Sequence, residues 1–186
     1  MSIDNGGSGG TMSENPRDGG AAWPDEASVA AIYNYRRLSD RLITGGQPTE
    51  AQLAALSAAG CEVVINLDPH EGERSLPDER RVVEALGMAY EHIPVPWERP
   101  TLAHLEAFFA AMDRHDDRRL CLHCIANMRV SAFVFLHRML RLGWRIEDAL
   151  PDLHALWRPN PTWQAFIDQA LGRQSAATTE NAEKQG

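Results

Sequence analysis

Leu120-Cys121-Leu122-His123-Cys124-Ile125-Ala126-Asn127-Met128-Arg129-Val130-Ser131 is the stretch on which the reading of this chain turns. Residues 119–123 are short, apolar and β-prone, which predicts a buried strand. Residues 131–142 are mostly apolar over a helical length, which predicts a buried helix. Between them lie a cysteine, a short loop and an arginine. The N-terminus of a helix presents unpaired N–H groups and a partial positive charge. A loop wrapped there cradles an anion. A cysteine at its mouth gains thiolate character, because the same donors stabilise a negative sulfur. An arginine in the first turn offers a planar, bidentate clamp for a tetrahedral oxyanion. Strand, His-Cys, loop, arginine and helix, in that order, suit nucleophilic attack on phosphorus through a cysteinyl-phosphate. Cys124 is then the candidate nucleophile. The main chain of Ile125, Ala126, Asn127 and Met128, with the side chain of Arg129, forms the candidate phosphate cradle.

Outward from this stretch, strands and helices alternate. Thr49 is placed to cap a helix with Gln52 in a capping box, and Gly60 stops it. Residues 61–67 (CEVVINL) read as a buried strand, 78–86 as a helix ended by Gly87, and 88–95 as the next strand, stopped by Pro96. Within 101–115, Leu102, Leu105, Phe108, Phe109 and Met112 share one helical face. Pro161 suits the first turn of a last helix, to about Leu171. Alternating β and α segments with short apolar strands indicate an α/β fold, a mainly parallel central sheet flanked by helices. Ligands bind such sheets beyond the carboxyl ends of the strands, which is where residues 124–129 fall.

The 186 residues are read as one folded domain at 29–172, between a disordered N-terminal tail (1–28) and a disordered C-terminal tail (173–186), both polar and poor in large apolar residues. Net charge is −8, of which the first tail carries −4 through Asp4, Glu14, Asp18, Asp25 and Glu26 against Arg17. That balance argues against nucleic acid, whose phosphates call for clustered Lys and Arg. No apolar run is long enough to span a membrane, and the N-terminus lacks the apolar segment of a secretory signal. Three cysteines make a disulfide scaffold improbable and fit a reducing, cytoplasmic setting. No metal or cofactor is expected. Cys121 and Cys124 form a Cys-x-x-Cys, but Cys121 lies inside a strand on the opposite face, so it reads as core, as does Cys61.

Further blocks carry a resemblance: Tyr33-Asn34-Tyr35, Ser39-Asp40-Arg41-Leu42, Gly46-Gln47-Pro48-Thr49, Val64-Ile65-Asn66-Leu67, His92-Ile93-Pro94-Val95, His123 through Phe133, and Pro151-Asp152-Leu153-His154. In this order and spacing, over about residues 31–171, the chain resembles the cysteine-dependent phosphatases. Among these it resembles small bacterial tyrosine-phosphatase-like proteins and a β-lactamase-hydrolase-like group. The resemblance implies a cysteine-phosphatase-like fold and hydrolysis of a phosphate monoester, with a phosphorylated protein or a small phosphate ester as partner. It also implies roles: Cys124 attacks, Arg129 binds phosphoryl oxygens, His123 braces the loop, and Ser131 donates to the sulfur as it leaves. Such enzymes need a general acid on a loop after an earlier strand. Glu98 in Pro96-Trp97-Glu98-Arg99 is the first candidate, and Asp68 with Glu71, after strand 61–67, the second. Gln47 and Asn66 are supporting candidates that tie loop backbones together.

The chain departs from the usual phosphatase signature by one residue. Four residues, not five, separate Cys124 from Arg129, which turns the arginine by about 100° on a helix. The loop also lacks glycine, and Asn127 is the residue able to take a left-handed backbone in its place. The shorter loop is similar to that of rhodanese-type sulfurtransferases, so sulfur transfer at Cys124 stands as an alternative. A phosphate-binding module without catalysis is a third reading. Inert packing of Cys124 and a structural salt bridge at Arg129 are the plain alternatives for those two residues.

Overall fold

A computed structural model describes Trp23, residues 26–70 and residues 72–183, with 173–183 as backbone only. Its centre is a five-stranded sheet in the order β1-β2-β5-β3-β4. The strands are β1 (Arg36–Arg37), β2 (Leu42–Gly45), β3 (Val63–Asn66), β4 (Ala89–His92) and β5 (Leu120–His123). Only β1 runs antiparallel to its neighbour; β2, β5, β3 and β4 are mutually parallel. The expected α/β architecture is therefore the one observed. The carboxyl ends of β3 and β5 lie side by side, with Asn66 in register with His123.

Successive strand residues point to opposite faces, and the core divides accordingly. Val63, Ile65, Leu67, Leu120, Leu122 and Cys124 join one apolar cluster with residues of α4 (Leu102–Arg114), α5 (Met128–Leu140), α6 (Ile146–His154) and α7 (Pro161–Glu183). Ile43, Val64 and Cys121 join the other, under α1 (Glu26–Ala30), α2 (Glu50–Ala58) and α3 (Glu79–Ala85). Cys121 and Cys61 are both buried in that second cluster, as core cysteines.

Local signals set the helix ends. Thr49 Oγ1 accepts from Gln52 N–H at 3.2 Å while Gln52 Oε1 accepts from Thr49 N–H at 2.9 Å, so the capping box of α2 is complete. Gly60 and Gly87 follow α2 and α3 with φ of 86° and 81°, a backbone that glycine adopts at least cost. Asn160 Oδ1 accepts from Trp163 N–H at 3.0 Å and places Pro161 at the first helical position.

Several boundaries differ from the sequence expectation. The helix expected over 131–142 starts at Met128, because Asn127 turns the chain with φ 61° and lets the helix begin at once. Helix α6 was not anticipated: Pro151 reads as a breaker, yet α6 packs on α5 with Ala149 and Leu153 buried. The short β1 and β2 offer too few residues for a period to show. Trp23 is buried with the Arg119 guanidinium 5.1 Å above its ring, and α1 contributes the buried Val29. Trp23 and the first three residues of α1 fall within the stretch expected as an N-terminal tail, and residues 1–22, 24 and 25 lie outside the described residues. At the other end the α7 backbone runs to Glu183, through much of the stretch expected as a C-terminal tail. That stretch is rich in Ala, Gln and Glu, which favour helix; residues 184–186 lie outside the described part. Among the described residues no helix is long and apolar enough to cross a membrane.

Candidate active site

The loop leaves β5 at Cys124 and enters α5 at Met128. It is held from the β2 side. Gln47 N–H donates to Ile125 O at 3.2 Å, Asn34 Nδ2 donates to Ala126 O at 3.0 Å, and Gly46 and Ala126 form an antiparallel bridge. A Cβ on Gly46 would stand 2.8 Å from Ile125 O, so the glycine that close approach requires lies beside the loop instead of in it. Asn127 adopts the left-handed backbone its type allows, and its Nδ2 donates to Asn34 O at 2.8 Å and to Thr44 Oγ1 at 2.9 Å. The Ile125 and Ala126 carbonyls of the loop are thereby occupied. Its donors are not: among the described residues, the main-chain N–H groups of Ile125, Ala126, Met128, Arg129 and Val130 have no hydrogen-bond partner within the chain. Unpaired donors at a helix head form an anion site.

Arg129 stands in the first turn of α5. Its Nη1 lies 3.4 Å from Asp68 Oδ1, and its guanidinium lies 5.4 Å from the centroid of the Trp97 ring. It lines an open cleft with Asp68, Pro96, Trp97, Glu98, Arg99 and Ile125. Two of the three candidate acids, Asp68 and Glu98, are therefore at this cleft, in different settings. Asp68 is buried at its inner wall, where Oδ2 accepts from His70 N–H at 3.0 Å and from Ser75 Oγ at 2.7 Å. Glu98 is exposed at the rim and makes no hydrogen bond or ion pair among the described residues. Glu71 lies outside the described residues. Cys124 is 1% exposed and packs in the apolar cluster, one residue behind the cleft wall formed by Ile125.

One expected role meets a different geometry. The Ser131 hydroxyl, expected to serve the sulfur, donates to Met128 O at 2.9 Å and accepts from Trp157 Nε1 at 3.1 Å. Its proton is spent on the helix, because a serine in the first turn reaches the carbonyl three residues back. Gln47 and Asn66 do tie backbones together, and they do so through Glu79 in the first turn of α3. Glu79 is fully buried. Its Oε1 accepts from Gln47 Nε2 at 2.8 Å, and its Oε2 accepts from Asn66 Nδ2 at 2.6 Å and from Tyr90 Oη at 3.0 Å. His123 Nε2 lies 3.1 Å from Oε1, close in distance but off the hydrogen-bond line, and His70 Nε2 lies 3.3 Å from Oε2. Burial pushes the Glu79 carboxyl up, but His123, Gln47 and Tyr90 more than offset this and hold it at about 2. Burial and the adjacent Glu79 charge push the Tyr90 phenol up, so it stays a donor. One sequence signal pointed to Glu79: buried Val83 lies four residues on, which puts both on one helix face.

A parallel sheet, a cysteine closing its central strand, a helix head with open donors and an arginine beside them define a phosphatase domain of the tyrosine- and dual-specificity-phosphatase type. The chain belongs to the family described as DSP-PTPase phosphatase fused to NAD+ kinase, whose model matches residues 28–177. It is 37% identical over 144 residues to the beta-lactamase hydrolase-like protein of Agrobacterium fabrum C58; the match takes in 76% of this chain and about a third (32%) of that longer protein. A DUF442 protein of Shewanella putrefaciens CN-32, named as a candidate phosphatase, is 34% identical with a TM-score of 0.70, over 78% of this chain and 96% of that one. P. aeruginosa TpbA, crystallised in complex with pTyr, shares the fold at a TM-score of 0.59 and 17% identity, over 72% of this chain and 82% of that one.

Proposed function

We propose that this chain hydrolyses a phosphate monoester at the cleft beside Arg129, with Cys124 as nucleophile. The observation that carries the reading is the row of unpaired main-chain donors at the head of α5 with the Arg129 guanidinium turned into the same cleft. A phosphoryl group in the cradle competes with Asp68 for Arg129, and the Asp68 carboxylate, freed of that cation, takes a proton from solvent and becomes the acid. The Cys124 sulfur attacks phosphorus, the bond to the ester oxygen breaks, and Asp68 gives that oxygen a proton. Water then attacks phosphorus, the phosphorus–sulfur bond breaks, and Asp68 takes the proton of the water. The substrate is a phosphorylated protein or a small phosphate ester, with phosphotyrosine the first to try, since TpbA is crystallised with it. Three unpaired cysteines fit work in a reducing compartment such as the cytoplasm.

Burial of Cys124 favours a second reading, in which the cradle binds phosphate without turnover. The family match gives the sulfur-transfer alternative no added support. Release of phosphate from an aryl phosphate by wild type and by Cys124→Ser separates the two. Loss of at least about 10³-fold in the variant is expected if the sulfur forms the intermediate. Thermal stabilisation by inorganic phosphate with no release by wild type would establish the binding module instead.

A further inference from the structure

The buried cluster under the cradle has a feature the reaction above does not use. The donors on Glu79 are the same residues that hold the parts of the site. Gln47, on Oε1, holds the Ile125 carbonyl through its main-chain N–H. Asn66, on Oε2, accepts from the Asp68 N–H at 2.7 Å through its own Oδ1. His123, against Oε1, is the residue bonded to Cys124. One carboxylate in α3 is thus one side chain away from the cradle and the nucleophile, which share the β5–α5 loop, and from the proposed acid, which follows β3. A buried carboxylate is costly unless paired, and here its two oxygens accept hydrogen bonds from Gln47, Asn66 and Tyr90, with the His123 and His70 rings beside them.

We propose that Glu79 is the positioning residue of this site: its carboxylate fixes the Ile125 cradle, the Asp68 main chain and the His123–Cys124 junction in one arrangement. The inference rests on the phosphatase reading for its consequences in turnover, but not for its consequences at the sulfur. The charged and titratable groups facing Glu79 are His123 from β5, His70 from the loop after β3 and Tyr90 from β4, with Arg80 lying over the Tyr90 ring at 5.0 Å. A neutral amide in place of the carboxylate keeps the volume. It cannot accept from Gln47, Asn66 and Tyr90 together, so the cradle relaxes and its hold on a thiolate weakens.

A merely structural loosening would expose the sulfur and make Cys124 react faster, whereas loss of the cradle's hold on the thiolate makes it react slower. The test is therefore the rate at which iodoacetamide modifies Cys124 at pH 7 in wild type and Glu79→Gln, read by peptide mass spectrometry with Cys61 and Cys121 as buried references. We expect about a tenfold slower reaction in the variant, with phosphate release losing kcat by about 10²-fold and KM changing less than about threefold. A rate within twofold of wild type, or a faster one, overturns the proposal. Should Glu79→Gln fail to fold, His123→Asn takes its place, with the same slowing expected and an unchanged rate overturning. Wild type that releases no phosphate while Glu79→Gln still slows modification would sink the enzymatic reading and leave the positioning role standing.

Discussion

The two walls of the cleft are built from different materials. On the β3 side stands Asp68, whose main-chain N–H, carbonyl and carboxylate are all engaged: Asn66 Oδ1 accepts the N–H, His92 Nε2 meets the carbonyl at 2.7 Å, and Ser75 and His70 hold Oδ2. On the β4 side stands Trp97, its ring 5.3 Å from Trp157 and 5.2 Å from Trp163. Hydrogen bonds fix direction, whereas ring packing fixes distance and leaves orientation softer. Arg129 touches both walls. The contrast continues beneath. On the polar side the titratable group is the fully buried Glu79, which accepts from Gln47, Asn66 and Tyr90. On the aromatic side it is the half-buried His137, whose ring lies 6.2 Å from Phe108 and 5.7 Å from Phe109. Loss of water pushes both groups toward the neutral form, and only Glu79 has the partners that reverse it.

The sharpest way to break the contrast is to exchange the acids. If directional wiring matters, Asp68→Asn lowers kcat for an aryl phosphate by about 10²-fold or more, the usual worth of a general acid. Glu98→Gln, at the unwired rim, should stay within about threefold of wild type. Steady-state kinetics on the two variants decide it, and the reverse ranking would return the acid role to the loop after β4.

How much of this was legible beforehand depends on the range of the interaction. The parallel sheet and the cysteine loop were readable because their signals are local: apolar runs of strand length, and a Cys-to-Arg spacing at a strand–helix junction. The one-residue-early Arg129 still faces the cleft, because Asn127 takes a left-handed backbone and starts α5 directly; the residue type gave that away. Glu79 was hidden because its neighbours lie at positions 47, 66, 70, 90 and 123, and no window along the chain shows a carboxylate that these five groups surround. Pro151 hid α6 for the opposite reason, a local signal outweighed by packing on α5. The ranking of Glu98 above Asp68 came from loop order alone, and sequence cannot say which acid folds inward.

The wired side predicts its own acid sensitivity. Glu79 is held at about 2, below the ordinary carboxylate value of 4.5. The folded state therefore releases this proton more readily than the unfolded one, and the stability so gained is present above pH 4.5 and lost as pH falls toward 2. The loss amounts to about 3 kcal/mol by pH 2. Denaturant unfolding of wild type and Glu79→Gln at pH 7 and pH 3 should show the stability gap between them closing by about 2 kcal/mol over that interval. A gap that holds constant would mean that Glu79 is not charged in the fold.

The aromatic side loses stability earlier. Burial pushes His137 down to about 4, helped by Arg141 and Arg138 and opposed by Asp113. With the folded value below the unfolded 6.5, the unfolded chain takes up the proton first, so stability falls as pH drops from 6.5 toward 4. At pH 5 the deficit against pH 7 is about 2 kcal/mol, at a pH where Glu79 is still ionised. His137→Leu keeps the ring-packing volume on Phe108 and Phe109 without the titrating group. It should therefore erase the loss between pH 7 and pH 5 while leaving the loss below pH 4.5 in place. Two separable steps, one removed by each substitution, would show that the walls fail independently. A single step that survives His137→Leu would place the first proton elsewhere and remove the contrast between the two sides.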